Sequence, residues 1–258
     1  MSKNYIENTT QTIIGMFKQA IKILFIPIHP AGWPFIVGFA LVSLILSLFS
    51  EALGIIGLVL TCWCLYFFRN PKRITPIREG LIVSPADGVV QSITRVALPA
   101  ELDSEKHKDD PLFKAKTLTR VSVFLNVFNV HVNRVPANGE ITEVNYHPGK
   151  FFNASLDKAS VHNERSTVVM KLADHNSSIV FVQIAGLIAR RIICEAKKGH
   201  EVKAGDVYGI IRFGSRMDIY LPPRVNPQVI VGQTMIGGET IIADTKSKEK
   251  IREGESRS

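Results

Sequence analysis

The feature that most limits the fold lies between Phe35 and Phe68, where two uncharged runs, Phe35–Ser50 and Ala52–Phe68, of 16 and 17 residues are separated only by Glu51. As helices each run reaches about 25 Å at about 1.5 Å per residue, slightly less than a bilayer core of about 30 Å. Residues 35–68 therefore fit two thin spans or a hairpin dipping into a membrane. Pro27, Pro30 and Pro34 stop any helix ahead of the block. Upstream, Ile13, Phe17, Ile21, Leu24 and Ile28 recur at helical spacing beside Lys18 and Lys22. Residues 1–34 thus read as an amphipathic segment lying in the membrane surface, with a core-facing helix as the alternative. The apolar block starts too late and runs too long for a cleaved signal peptide.

The chain carries a formal charge of +8, yet residues 1–68 contribute only three lysines against two glutamates. Nearly all the positive excess follows the block, beginning with Arg69, Lys72, Arg73 and Arg78. That placement suits anionic headgroups and excludes nucleic acid as the favoured partner, because the later segments lack a strand motif of interleaved aromatic and basic residues. Basic residues at both ends of the block put both ends in the cytoplasm, which a hairpin satisfies and a single span does not. The expected location is the cell membrane, with the polar domain on its cytoplasmic face. Cys62, Cys64 and Cys194 match no zinc or disulfide pattern and read as reduced, structural residues.

Residues 69–244 read as one β-rich domain, in which short Val/Ile-rich runs alternate with Gly, Pro and Asn. Examples are Val121–Val130, Ser178–Ile184, Asp206–Arg212 and Met217–Leu221. Three phrases place a glycine turn at the entry to a strand: Pro85-Ala-Asp-Gly-Val-Val, Pro136-Ala-Asn-Gly-Glu-Ile and Lys198-Gly-His-Glu-Val-Lys-Ala-Gly-Asp. They look like hairpins of the barrel-sandwich folds of biotinyl and lipoyl (hammerhead-like) domains. The expected fold is mainly β with some α, preceded by the amphipathic helix and the apolar helical hairpin. Residues 151–166 supply a helix or a long loop, and 245–258, poor in apolar residues, a disordered tail.

Nucleophilic chemistry requires a serine or cysteine in a constrained turn. In Arg212-Phe-Gly-Ser-Arg-Met-Asp218 a Gly-Ser pair interrupts two apolar β runs. Gly214, with no Cβ, allows close approach of the Ser215 hydroxyl to its carbonyl. That geometry permits an N-to-O acyl shift, after which β-elimination and hydrolysis leave a pyruvoyl group at the new N-terminus. Taken by itself, the dipeptide supports no more than a tight turn. Likewise Asp87 alone reads as an Asx-turn residue, and His131 alone as a satisfied histidine in a Val-rich strand.

The whole set of phrases goes further. Ser84-Pro-Ala-Asp-Gly88, Val130-His-Val-Asn-Arg-Val-Pro136, Pro148-Gly-Lys-Phe151, Asn163-Glu-Arg165 and Phe213-Gly-Ser-Arg216 occur in this order. Together they resemble the short, Gly-Ser-cleaving class of phosphatidylserine decarboxylases from about Phe67 to Asp244. The resemblance implies self-cleavage between Gly214 and Ser215 into a large chain, 1–214, and a small chain, 215–258, that stay associated as a heterodimer; a higher homo-oligomer is left open. It implies that Ser215 becomes the covalent pyruvoyl group, which forms a Schiff base with phosphatidylserine in the membrane, with no metal and no pyridoxal phosphate. Asp87 matches an acidic member of the self-cleavage apparatus and His131 a histidine of the decarboxylation site. Asn133, Arg134, Lys150 and Phe151 fall in the matching phrases at positions expected to bind substrate.

One departure stands out: longer family members place a second histidine three residues after the first, as base of an Asp-His-Ser triad, and this chain has Arg134 there. Either His131 serves both steps, or another group takes the proton while Arg134 orients a carboxylate or phosphate. His147 and His162 are the other candidates for that base; His29, His107, His175 and His200 fall beside the apolar block or in polar stretches. The rival reading is a membrane-tethered carrier or binding module of the biotinyl/lipoyl type. Such carriers need a lysine at an exposed hairpin tip, where this chain offers Arg216.

Overall fold

The computed structural model describes residues 26–102, 104–156, 159–187, 191–212 and 214–255, so most of the expected amphipathic helix lies outside the described residues. Two compact units divide at Lys72 and Arg73.

In the first unit, helix α1 (Trp33–Ser47) and helix α2 (Glu51–Phe67) form an antiparallel pair. Small residues set the approach. Added Cβ atoms on Gly54 and Gly57 would lie 2.7 Å from the Cβ atoms of Ser47 and Ser43, and Ser43 Oγ donates to the Gly54 carbonyl at 3.0 Å. This is how helices pack where no hydrophobic drive separates partner from solvent. Outside that seam Leu41, Leu44, Ile45, Leu48, Ile55, Ile56 and Val59 are exposed. The stretch Pro30–Ser47 is long and apolar enough to cross a membrane, whereas Glu51–Phe67 is shorter. An apolar helix of this kind suggests membrane association.

The second unit is mainly β with a few short helices. Its strands are β1 (Leu81–Val83), β2 (Gly88–Val96), β3 (Leu118–Leu125), β4 (Val132–Arg134), β5 (Gly139–His147), β6 (Arg165–Leu172) and β7 (Ser178–Ala185). There follow β8 (Ile192–Cys194), β9 (Glu201–Val202), β10 (Val207–Ile211), β11 (Ser215–Tyr220), β12 (Thr234–Met235) and β13 (Ile241–Asp244). Eight strands make one antiparallel sheet in the order β12-β2-β3-β11-β7-β6-β5-β9, and a smaller sheet runs β4-β10-β8.

Period-two patterning decides what each face carries. Val121, Val123, Leu125, Phe181, Met217 and Ile219 join the larger core on one face. Val180, Val182, Ile184 and Tyr220 pack on the other against Leu112, Phe113 and Ala159. With both faces covered, β7 is buried along its whole length, which explains why apolar residues fill both faces of Ile179–Val182 rather than alternating with polar ones. Residues 151–166 do supply a loop and a short helix, Ala159–His162. From Ser247 to Glu255 no regular structure forms, although Arg252 donates to the Gln228 carbonyl at 2.8 Å.

Candidate active site

The three residues 212–214 join β10 of the small sheet to β11 of the large one. The Gly-Ser pair therefore sits at a change of sheet, and Gly214 makes the turn with φ +73°, a left-handed conformation costly for any residue with a Cβ. Ser215 opens β11, paired with Leu125 of β3 on one side and Ala185 of β7 on the other. Its side chain shares the face of Met217 and Ile219. Ser215 is 0% exposed, and its Oγ has no hydrogen-bond partner among the described residues. A buried hydroxyl left unpaired costs about 1–3 kcal/mol, so its retention calls for a chemical reason.

His131 lies against the same turn. Its Nδ1 is 3.0 Å from the Asn129 carbonyl, an acceptor, so Nδ1 carries the proton and Nε2 keeps its lone pair. Nε2 accepts the Gly214 amide at 3.3 Å. On the other side, an added Cβ on Gly186 would stand 2.3 Å from the Gly214 carbonyl oxygen and 3.1 Å from its carbon. The carbonyl next to Ser215 is thus seated on a position that only glycine vacates. Asn163 fixes this support: its amide donates to the carbonyls of Ala185 at 2.7 Å and Phe152 at 2.8 Å. Sequence reading missed Gly186, whose only signal is a glycine directly after a mostly apolar strand.

A cavity of 290 Å³ opens beside Gly214, lined mainly by apolar groups of Phe124, Leu125, Val127, Ala154 and Leu187. A larger groove of 780 Å³ between His107, Glu143 and Lys197 contains none of the candidate residues. Ser215 is followed by a deeply buried charge cluster. Arg216, 1% exposed, lies with Nε 2.9 Å from Asp218 and donates through Nη1 to the carbonyls of Ala154 at 3.0 Å and Leu156 at 3.2 Å. Ser160 Oγ contacts both Arg216 and Asp218. A carrier module needs its modified residue at an exposed tip, so this buried arginine removes that reading of the turn.

Asp87 and Arg134 gather elsewhere. Both Asp87 oxygens receive Arg73 Nη2, at 2.9 and 2.8 Å, and Oδ1 also accepts the Gly237 amide at 2.8 Å. Arg134 donates to the Gly205 carbonyl at 2.8 Å. Burial and the Arg73 charge pull the Arg134 pKa down, against the opposing fields of Asp87, Glu239 and Asp206. His131 and Arg134, three residues apart, thus serve different neighbourhoods. Arg73 was expected to face headgroups together with the rest of its cluster. Instead it is spent on Asp87, as Arg78 is on Asp244 at 2.6 Å, because each meets a carboxylate brought in from distant sequence.

Of the other expected substrate-binding residues, Asn133 is fully buried and its Oδ1 accepts Gln183 Nε2 at 2.8 Å. Phe151 packs half-buried against the core, and Lys150 bridges to Asn163 with its ammonium 5.9 Å from the Phe152 ring centre. The described lining of the cavity comes from other residues. His162 stacks edge-on against Phe152, and His147 ends β5 opposite Arg165. No cluster of three or more metal-ligating side chains occurs among the described residues.

The profile of the family described as phosphatidylserine decarboxylase matches residues 60–243. A phosphatidylserine decarboxylase proenzyme of Rickettsia akari is 56% identical over 230 residues, covering 89% of this chain and 95% of that protein. Proteins of the same description from Rickettsia felis and Rickettsia bellii are each 56% identical over 226 residues, covering 88% of this chain and 94% of theirs.

Proposed function

Since the chain belongs to the phosphatidylserine decarboxylase family and acts, from a proenzyme, in the decarboxylation of phosphatidylserine, we propose that the proenzyme cuts itself between Gly214 and Ser215. The observation that carries the proposal is the juxtaposition of an unpartnered, buried Ser215 Oγ with a Gly214 peptide held by His131 Nε2 and Gly186. Ser215 Oγ attacks the Gly214 carbonyl carbon; the C–N bond breaks, and an ester replaces the amide. Loss of the Gly214 carboxylate by β-elimination leaves dehydroalanine at 215. Water then replaces its nitrogen, released as ammonia, to give a pyruvoyl ketone.

His131, whose Nε2 meets the Gly214 amide at the turn, is the base we assign to the first step, exchanging that contact for the Ser215 proton, and we give the same nitrogen the return of a proton to the substrate α-carbon. It thus takes both roles that the absence of a second histidine at Arg134 leaves open. Asp87 then acts at a distance: with Arg73 and the Gly237 amide it fixes the turn between β1 and β2, which holds β2 against β3. Lys150 and Phe151 lead into the Phe152 carbonyl that Asn163 holds at 2.8 Å and so brace the loop beside the site, whereas Arg134 and Asn133 act in other neighbourhoods.

The buried Oγ and the adjacent cavity fit a pyruvoyl group at 215, which supplies an electron sink for the charge left when carbon dioxide departs. The chain's own residues exclude water, through Leu125, Val127 and Leu187, and hold the reacting end in place through Arg216. After the cut, β11 remains inserted between β3 and β7, which supports a lasting association of chains 1–214 and 215–258. The eight-stranded sheet, the three-stranded sheet and the β1–β13 pair share one core, which is consistent with a barrel-sandwich. The apolar pair α1–α2 supports anchoring in the cell membrane with the β domain on the cytoplasmic side.

Denaturing electrophoresis and mass spectrometry test the proposal. Active protein should contain two fragments, the smaller with a blocked pyruvoyl N-terminus. Ser215→Ala should give a single chain of 28.6 kDa that releases no carbon dioxide from phosphatidylserine. An intact chain in active parent protein would refute it.

A further inference from the structure

Ser215 is fully buried, while the substrate's headgroup is tethered to a glycerol at the bilayer surface. The mouth of the cavity beside Gly214 must therefore meet that surface. We infer that three loops around this mouth form a membrane contact of the β domain itself, inserting apolar side chains into an anionic leaflet; the inference rests on position 215 acting on phosphatidylserine.

Each loop contributes one large exposed hydrophobic residue. In the turn after β3, Asn126 Oδ1 accepts the Phe128 amide and Asn129 Oδ1 the Asn126 amide, both at 2.9 Å. The backbone is thereby fixed, yet the Phe128 side chain is 62% exposed. Val127, its neighbour, lines the cavity. Leu187, after β7, lines the cavity and is 64% exposed, and Leu156, just beyond the lining residue Ala154, is 43% exposed. Single exposed hydrophobics are ordinary, but three from three loops around one mouth form an apolar patch open to solvent.

Charge complementarity identifies that partner as an anionic lipid surface. Exposed Arg191 follows Leu187 by four positions in the sequence, and its carbonyl accepts the Arg212 amide at 3.3 Å, two residues before Gly214. Apolar residues beside an exposed arginine such as Arg191 are the pattern of an interfacial insertion, in which rings enter the acyl boundary and the guanidinium stays among phosphates. The contact would bring the headgroup to the buried reacting end without withdrawing the lipid from its leaflet.

The test uses the full-length protein with p-benzoylphenylalanine at position 128, or at Asn226 beyond the far end of β11, in vesicles of phosphatidylcholine and phosphatidylserine. Photolysis should join lipid to position 128 and not to 226. Equal labelling at the two sites, or crosslinks from 128 only to a second copy of the chain, would overturn the inference. In parallel, Phe128→Ser should lower carbon dioxide release from vesicles about tenfold, the scale of losing roughly half of a phenyl transfer energy. The same variant should leave turnover of monomeric dihexanoyl phosphatidylserine unchanged. Equal vesicle turnover in variant and parent would also overturn it. Failure of the parent on the soluble substrate would instead strike the proposed function, while the crosslinks still decide the contact.

Discussion

Replacing Gly186 by alanine is the sharpest perturbation of the cleavage turn. The new Cβ would lie 2.3 Å from the Gly214 oxygen, where ordinary contact begins at 3.4 Å, so one partner must retreat by about 1 Å. Gly186 is held through Ala185, whose carbonyl accepts Asn163 and whose amide donates to the Glu164 carbonyl at 2.9 Å. The Gly214 carbonyl is the part that can move, and it is the electrophile. A misplacement of about 1 Å costs an intramolecular step roughly 100-fold, whereas overpacking of this size costs the fold only about 1–3 kcal/mol. The assay follows conversion of freshly synthesised 28.6 kDa chain into its two fragments, alongside thermal unfolding. Gly214→Ala is the comparator: its Cβ meets nothing within 4 Å, so only the left-handed φ, worth about 1–2 kcal/mol, slows it, by roughly tenfold. Gly186→Ala cutting within twofold of the parent, with an unchanged melting temperature, would refute the seating of the carbonyl.

Other expectations are as direct. His131→Ala, which removes the acceptor at the Gly214 amide, should slow cleavage by roughly 10²–10⁴-fold while the folded precursor accumulates. In a Ser215→Ala background, Arg216→Met should cost less in thermal unfolding than the about 3–5 kcal/mol of a fully broken buried pair, because Asp218 keeps Arg120 at 3.8 Å, and adding Asp218→Leu should not recover the loss, since it takes the Asp218 carboxylate away from Arg120. Burial raises the pKa of Glu101, but hydrogen bonds from Arg165 at 2.8 Å and Thr167 at 2.7 Å outweigh it and hold the carboxyl below 4.5. A depressed folded pKa gives stability that is present above the unfolded value and lost as pH falls through the folded one. The difference in melting temperature between parent and Glu101→Gln should therefore shrink between about pH 6 and about pH 3, and a constant gap would exclude the linkage.

Local patterns were readable in the sequence, and long-range partners were not. Apolar runs announced α1 and α2, alternation announced the strands, and the Gly214-Ser215 turn was visible as a break between two of them. His131 could be picked out by its phrase, but nothing local showed that its Nε2 would meet residue 214. The arginines illustrate the limit. A run of basic residues after an apolar block looks the same whether it faces headgroups or carboxylates; only the return of Asp87 and Asp244 to Arg73 and Arg78 decides. Arg216 read as a turn residue because the burial of β11 on both faces is set by segments 55 or more positions earlier, such as Ala154 and Ser160. Gly186 escaped because a close approach leaves no periodic trace.

The position of β11 between β3 and β7 also fixes the order of events in the molecule's life. A central strand supplied by 215–258 can be laid down easily only while it is still tethered to β10, at the high effective concentration of a short connection. With the proposed cut at Gly214-Ser215 the tether is lost, and heat or denaturant that ejects the strand then turns refolding into a search between two separate chains. The mature protein should then unfold irreversibly, while the Ser215→Ala precursor regains its structure. Its durability is a lifetime governed by an unfolding barrier rather than a position of equilibrium, and each molecule has one opportunity to assemble.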